Sequence, residues 1–478
     1  MAGATASAYA RPKAASSSTL GLLIVTAMLG LAGALGFAVA VGEFAAFFVA
    51  MAVVAGIAVF FDFRIGAVLL ILILPLGATF FLPHSVLGVP SLNPFNIVIA
   101  ATLVACVMGG KFKGMTPRPL VWLYVVPILV AGLLGMRHAY DIYPLFFENL
   151  TLHFTEPLGY FREMAIRPLF TVLGALLIGA AIMHSQKPER FLIPLMVSVW
   201  IMALLQFGLI AASGVRLGFL AGVGARAFYN QIGLHANELG RLYAVAYALM
   251  LFVWWETKNH GLKAALIATM GVATLAMVLT FSRGAFLGFF IVNAMFLVWK
   301  FNAKTLALAL LAVAVVALIA PEYLWNRITF GFDVDANRVS ADRIDGIWLP
   351  LLPELWKSPL WGNGLGSIMW SLPMVTESML AVTHPHSAYL EAVLDMGWIG
   401  LVLMLAYYGH LWRRFRSLGS NAYLTPEMRG FFQGATAALV FFFVTGWVGS
   451  SFRPEPEFCF LWVAIGMMYG TFARKPAS

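Results

Sequence analysis

The sequence predicts an all-α, polytopic membrane protein: about 14 transmembrane helices (12–14), with one long periplasmic loop carrying short amphipathic helices. Three observations predict it. Hydrophobic residues make up 61% of the chain and charged residues only 11%, against about 25% charged in water-soluble domains. The mean hydropathy is +0.88. Apolar runs of roughly 16–24 residues recur, long enough to cross a hydrocarbon core of about 30 Å as helices. They lack the alternation and the ~10-residue length of barrel strands.

Taken in order, residues 1–18 are polar, rich in Ala and Ser, and read as a cytoplasmic tail. The first apolar run is full length, unlike the short core of a secretory signal, so it reads as a retained span. The candidate spans begin with Thr19–Val41, Phe44–Phe61, Ile65–Leu82, Leu92–Gly109 and Leu120–Met136. They continue with Met164–His184, Phe191–Ala212, Ala236–Glu256, Leu262–Phe281, Ala285–Trp299 and Thr305–Ala320. Ala388–His410, Gly430–Gly449 and Phe458–Phe472 complete the set. The chain thus divides into an N-terminal transmembrane bundle (19–320), a large outer loop (321–387) and C-terminal helices (388–478).

An even number of crossings puts both termini on one side. The basic clusters Lys111–Lys113, Lys187–Arg190, Lys258–Lys263, Lys300–Lys304 and Arg413–Arg416 then share one face. The positive-inside rule makes that face cytoplasmic, and the loop 321–387 periplasmic in a Gram-negative cell. The net charge of +9 is therefore topological and implies no nucleic acid. Cys106 and Cys459 lie inside apolar runs and read as small core hydrophobes, with no disulfide and no metal site.

The polar residues concentrate on the outer face. The connector Ser450–Glu457, with Pro454 and Pro456, reads as a rigid turn. Arg283, in Ser282-Arg283-Gly284, sits at the outer end of an apolar hairpin, where a charge faces a cavity or snorkels to headgroups. Arg226 lies in a glycine-rich loop before the helix that opens His235-Ala236-Asn237-Glu238. Glu238 and Arg241, three residues apart on one helix face, are expected to pair. Arg343 precedes a stretch with Ile344, Ile347, Trp348, Leu351 and Leu355 at helical spacing. That pattern predicts a short amphipathic helix on the outer surface, kinked or ended near Pro350 and Pro353. Gly362, Gly364 and Gly366 form a turn; without a preceding strand they make no dinucleotide site. His384 and His386 flank Pro385 just before an apolar helix, with Tyr389 and Glu391 on its first turns. An imidazole there can serve as a general base or be a bland loop-end residue. Cys or Asp partners at ligand spacing are missing, so no metal is expected. Arginine's planar fork suits phosphate oxygens. Arginines and a histidine on one face suit a lipid pyrophosphate leaving group without a cofactor.

In these residues the chain resembles the O-antigen ligase/polymerase superfamily. The resemblance runs roughly from Arg226 to Glu391. It rests on Arg226 before Asn237-Glu238-Leu239-Gly240, on Ser282-Arg283-Gly284, on Arg343 followed by Trp348, and on Pro359-Leu360-Trp361-Gly362-Asn363-Gly364-Leu365-Gly366. It closes with His386-Ser387-Ala388-Tyr389-Leu390-Glu391 and Gly397-Trp398-Ile399-Gly400. Ser387 stands where the family commonly has Asn.

The resemblance implies a multi-pass glycosyltransferase of the bacterial inner membrane with its active site facing the periplasm. The donor would be a glycan on undecaprenyl pyrophosphate. The acceptor would be lipid A–core for a ligase or a second lipid-linked glycan for a polymerase. Membrane lipids and other polysaccharide-assembly proteins are candidate partners. Arg226 and Arg283 would bind the pyrophosphate and His386 would activate the acceptor or assist departure, with inversion at the anomeric carbon. Arg343, His384, Asn237, Ser282, Gly364 and Tyr389 are candidate substrate-binding residues, His384 being the second choice for the base. The competing class is a polysaccharide-lipid flippase or other secondary transporter, which predicts charged residues near mid-membrane in broken, repeated helices.

Overall fold

A computed structural model describes residues 33, 36, 44–83, 93–148, 152, 154, 156–319, 321–329, 335–376, 382–449 and 451–474. All regular structure among them is helical. In order come α1 (Phe44–Phe61), α2 (Phe63–Ile73), α3 (Pro94–Met108), α4 (Arg118–His138), α5 (Pro157–Met183), α6 (Pro188–Ser213) and α7 (Ala236–Glu256). Next are α8 (His260–Leu279), α9 (Arg283–Trp299), α10 (Ala303–Ile319), α11 (Glu322–Thr329), α12 (Ala388–Gly419), α13 (Pro426–Gly446) and α14 (Pro456–Ala473). Among the described residues, seven helices (α4, α5, α6, α8, α12, α13 and α14) are long and apolar enough to cross a membrane. The chain is an all-α, multi-pass membrane protein. The expected span Thr19–Val41 falls outside the described residues apart from positions 33 and 36. The expected span Ile65–Leu82 is α-helical only to Ile73. Pro75 cannot extend the hydrogen-bond ladder, and a tight turn, Leu76–Ala78, follows.

The core is organised on α7. From Leu239 to Val253 every residue except Tyr247 is buried, as expected for a helix apolar on all faces. Helix α13 lies directly on its backbone. A Cβ at Gly434 would sit 2.4 Å from the Ala248 carbonyl oxygen. Helices α14 and α5 meet in the same way, with a Cβ at Gly466 only 2.0 Å from the Ala175 oxygen. Lipid tails offer no hydrophobic drive for helix association, so close backbone approach at small residues supplies the packing.

The helices alternate between two ends. One end holds the start of α5, α7, α9, α12 and α14. The other holds Glu256, paired with Lys300 at 2.6 Å and Arg429 at 3.5 Å, and Arg474, which donates to the Gln186 carbonyl at 3.3 Å.

Two features position the site. Helix α12 breaks at Gly397 (φ 67°, ψ −177°). The freed N–H groups of Trp398 and Ile399 donate to the carbonyls of Pro359 and Leu360 at 2.9 and 3.3 Å. The expected amphipathic helix is present as three successive turns, Ile344–Trp348, Leu349–Leu351 and Leu352–Trp356. Pro350 and Pro353 open the second and third turns, where no N–H is needed, so the run bends there and continues. Ile347 and Leu351 face inward while Leu349, Leu352 and Trp356 are exposed.

Candidate active site

The site begins at the N-terminus of α7. His235 caps that helix in a reciprocal box: its N–H donates to Glu238 Oε2 at 2.8 Å, and its Nδ1 accepts from Asn237 N–H at 3.1 Å. With Glu238 turned back to the cap, Arg241 pairs elsewhere. Its Nε lies 3.2 Å from Glu457 Oε1, both side chains being buried. This corrects the expected Glu238–Arg241 pair: a capping box recruits the acid at the third helical position, and the next turn faces α14.

Helix α9 is tied to the same place. Ser282 caps it, accepting from Ala285 N–H, and its hydroxyl donates to Asn237 Oδ1 at 3.0 Å. Arg283 donates from Nη2 to the Val339 carbonyl at 3.0 Å. Val339 ends the turn Ala336–Val339, four residues before Arg343. The loop between them is knotted: Ala341 and Asp342 both take φ of 61°. The Asn337 side chain accepts from Asp345 N–H at 3.2 Å, and Ser340 Oγ accepts from Arg343 N–H at 3.2 Å. Arg343 then reaches across to donate from Nη1 to the Val448 carbonyl at 2.5 Å. Trp348 donates from Nε1 to the Pro385 carbonyl at 2.8 Å. The amphipathic run is thereby stitched to the histidine segment.

The groups meet at Gly449, between α13 and α14. A Cβ there would lie 3.7 Å from Arg343 Nη1, 3.8 Å from His386 Nδ1 and 3.9 Å from Arg241 Nη1. Two guanidinium groups and one imidazole therefore border one small space. His386 has φ of 54°, a left-handed conformation that costs a Cβ-bearing residue about 1–2 kcal/mol. His384 Nδ1 accepts its N–H at 3.3 Å, and the two rings meet edge to face at 4.1 Å. Burial pushes His386 down to about 2, helped by His384, Arg343, Arg241 and His235. Burial likewise lowers His384 to about 4, with Glu391 opposing the shift. Both rings are neutral at pH 7.

A layer of buried and half-buried charge backs this space. Arg453 Nη2 pairs with Glu391 Oε1 at 2.8 Å and lies 3.9 Å from Glu455. Burial works against the Arg453 charge, but Glu391, Glu455 and Asp395 more than reverse it. Burial raises Glu455 to about 7 against the pull of Arg453. Asp395 accepts from the N–H groups of Gly366 and Ser367 at 2.8 and 3.0 Å and from Ser367 Oγ at 3.0 Å.

The structure thus brings together Arg343, His384 and His386, with Asn237, Ser282 and Arg283 joined to them through α7 and Val339. The side chain of Arg226 lies outside what is described; its backbone belongs to the turn Val223–Ile232. Gly364 is buried against α4, where a Cβ would sit 2.3 Å from Gly135 Cα. Tyr389 donates to the Phe443 carbonyl at 3.0 Å and packs on Trp447 and Phe452. Both are packed against neighbouring helices. Sequence reasoning missed Arg241 as a site member and Arg453, Glu455 and Glu457 altogether. The signal was there: Arg453-Pro454-Glu455-Pro456-Glu457 places three charges in five residues of a chain that is 11% charged. Among the described residues, no group of three His, Cys, Asp or Glu side chains is arranged to hold a metal ion.

Residues 267–405 match the family described as O-Antigen ligase. The matched stretch, under a third of the chain, runs from α8 into α12 and includes Ser282, Arg283, Arg343, His384 and His386. It bears out the resemblance to the O-antigen ligase/polymerase superfamily. No curated protein matches the chain.

Proposed function

We propose, from an O-antigen ligase-type segment at residues 267–405, that the protein is a periplasm-facing glycosyltransferase of the inner membrane. It moves a glycan from undecaprenyl pyrophosphate to a sugar hydroxyl of lipid A–core or of a second lipid-linked glycan. The observation that carries this reading is the meeting of Arg343, Arg241 and His386 around Gly449. Two fixed cations beside a neutral imidazole suit a reaction that releases a diphosphate while an alcohol loses its proton.

In this reading the acceptor oxygen attacks the anomeric carbon from the face opposite the diphosphate. His386 takes the hydroxyl proton as the new C–O bond forms. The bond to the diphosphate oxygen breaks, and its electron pair leaves with the lipid diphosphate. Arg343 and Arg241, with Arg283 and Arg226 as further anion contacts, balance the charge that develops there. Burial and the neighbouring cations hold His386 neutral. A bound diphosphate offsets those cations, so donor binding itself raises the basicity of His386. The chemistry routes no step through a metal or cofactor.

The transporter alternative rests on one comparable feature, the break in α12 at Gly397 beside buried Asp395. That carboxylate is held by hydrogen bonds from Gly366 and Ser367, as a structural acid clamping the glycine turn would be. The freed backbone N–H groups are likewise satisfied within the protein.

The test is transfer from a purified lipid-linked glycan donor. His386→Ala is expected to lose about 10²–10⁴-fold. Arg343→Ala and Arg283→Ala are each expected to lose about 10²–10³-fold. Arg343→Lys should not restore transfer, because Lys lacks the planar fork. Transfer at the wild-type rate by folded His386→Ala would remove the mechanism.

A further inference from the structure

We propose that His235 and His384 are positioning residues. Each imidazole serves as a fixed hydrogen-bond acceptor that holds the residue two places on, Asn237 and His386, in its working conformation. The inference deepens the transferase reading and assigns the base role to His386 alone.

The observation is a repeated device. In His235-Ala236-Asn237, His235 Nδ1 accepts from the N–H of Asn237 at 3.1 Å. In His384-Pro385-His386, His384 Nδ1 accepts from the N–H of His386 at 3.3 Å. Each bond closes the same small ring across one intervening residue, as an Asx turn does with a side-chain oxygen. In the second case Pro385 has no N–H to compete, and a residue before proline is kept extended. The bond therefore falls to His386, whose φ of 54° would otherwise be unsupported for a residue with a Cβ.

The residues so held both face the site. Asn237 presents Oδ1 to the Ser282 hydroxyl, which locks α7 to α9 beside Arg283. His386 presents Nδ1 to the space bordered by Arg343 and Arg241. Acceptance at Nδ1 also fixes the tautomer: in each positioning ring the proton sits on Nε2. A ring that took a proton at Nδ1 would lose the bond that shapes the turn.

The geometry makes a sharp distinction between substitutions. Asn carries its Oδ1 one bond beyond Cγ, where histidine carries Nδ1. Gln carries its acceptor one atom farther, level with Nε2. Asn should therefore rebuild the turn and Gln should not, although both abolish proton chemistry at the position.

The experiment uses the full-length protein in lipid nanodiscs with a lipid-linked glycan donor and a lipid-linked acceptor. His384→Ala and His384→Gln should each lose about tenfold or more in kcat, since a small misplacement of a reacting group can cost 10²-fold. His384→Asn should recover kcat to within about threefold of wild type, with the pH profile unmoved. His235→Gln and His235→Asn should divide in the same way. A folded His384→Asn as inactive as His386→Ala, or one with a displaced pH profile, would assign His384 a proton-transfer role and overturn the proposal. A readout independent of activity is nitrogen NMR of protein carrying ¹⁵N-histidine, with the resonance assigned by its loss in His384→Asn. A proton on Nε2 of His384 is expected, and a proton on Nδ1 would refute the turn. If His386→Ala transfers normally while His384 shows the Nε2–H form, the transferase reading fails and the turn stands.

Discussion

At the residue scale, Gly449 leaves room for two guanidinium groups and an imidazole to share one space, and this sets how the site responds to pH. The folded chain holds His384 near 4 and His386 near 2, against an ordinary value of 6.5. Below 6.5 the unfolded chain binds protons that these rings refuse, so their contribution to stability falls as pH drops through that window. At pH 5 the loss amounts to about 2 kcal/mol for each ring. Glu455, raised to about 7, acts in the opposite sense between 7 and its ordinary range. The measurable quantity is therefore a difference between variants. His384→Asn and His386→Asn should each shrink the fall in apparent Tm between pH 7 and pH 5, and an unchanged fall would contradict the neutral, half-buried rings. Arg283, Arg343 and His386 stood out in the sequence through the family resemblance, since a snorkelling arginine or a loop-end histidine is an ordinary feature taken alone. Arg241 was not, since spacing alone pairs it with Glu238, and only the capping box and Glu457 on α14 reveal where it points. Arg453 was hidden because its partner Glu391 lies 62 residues away in the chain.

At the element scale, the long insert is held by backbone contacts at glycines. Gly362, Gly364 and Gly366 all have positive φ, and a Cβ at Gly362 would meet the Asp395 carbonyl at 2.4 Å. On the other strand of this contact, a Cβ at Gly397 would meet the Leu360 oxygen at 2.2 Å. Gly397→Ala should thus destabilise the whole outer layer and lower transfer without touching a reacting group, readable as a fall in apparent Tm of several degrees. Arg453→Ala strips the partner from buried Glu391 and should cost about 3–5 kcal/mol. If Gly397→Ala melts like wild type, the insert is held by something else; if Arg453→Ala does, Glu391 does not depend on that partner. The amphipathic run was legible from its spacing, and its prolines fit because they open turns. The clamp was not legible: three glycines in a row of turns announce positive φ, but not that α4 and α12 close on them from both sides. Leu349, Leu352, Trp356, Leu360 and Trp361 are exposed beside Trp398 on spanning helix α12. Such a patch fits the outer leaflet, and brominated lipids should quench Trp356 and Trp361 fluorescence, with Trp356→Phe and Trp361→Phe reporting each share. Quenching only by a water-soluble agent would place the patch in solvent.

At the scale of the whole molecule, the proposed reaction depends on which end of the bundle faces out. The ends are chemically unlike. One holds the histidines, the buried acids and the arginines that border Gly449. The other holds Lys187, Arg190, Lys258, Lys300, Arg413, Arg414, Arg416, Arg429 and Arg474, and is the end that the proposed orientation puts in the cytoplasm. Helix order was legible because apolar length and alternating basic clusters are one-dimensional signals. The distance between Arg241 and Arg343 was not, because it depends on how α7, α13 and α14 stack. The two native cysteines, Cys106 and Cys459, are buried, which makes labelling at introduced cysteines clean. The glycine turn 362–366 is a poor place for a probe, since its glycines are buried and turned to positive φ. Tyr140, just beyond α4 at the site end, is 74% exposed, and Tyr423, between α12 and α13 at the other end, is 99% exposed. An impermeant maleimide added to intact cells should label Tyr140→Cys and spare Tyr423→Cys until the membrane is permeabilised. The reverse pattern would put the arginine–histidine space in the cytoplasm, out of reach of a glycan donor displayed on the outer leaflet, and the periplasm-facing transferase would have to be abandoned even if every side-chain contact were correct.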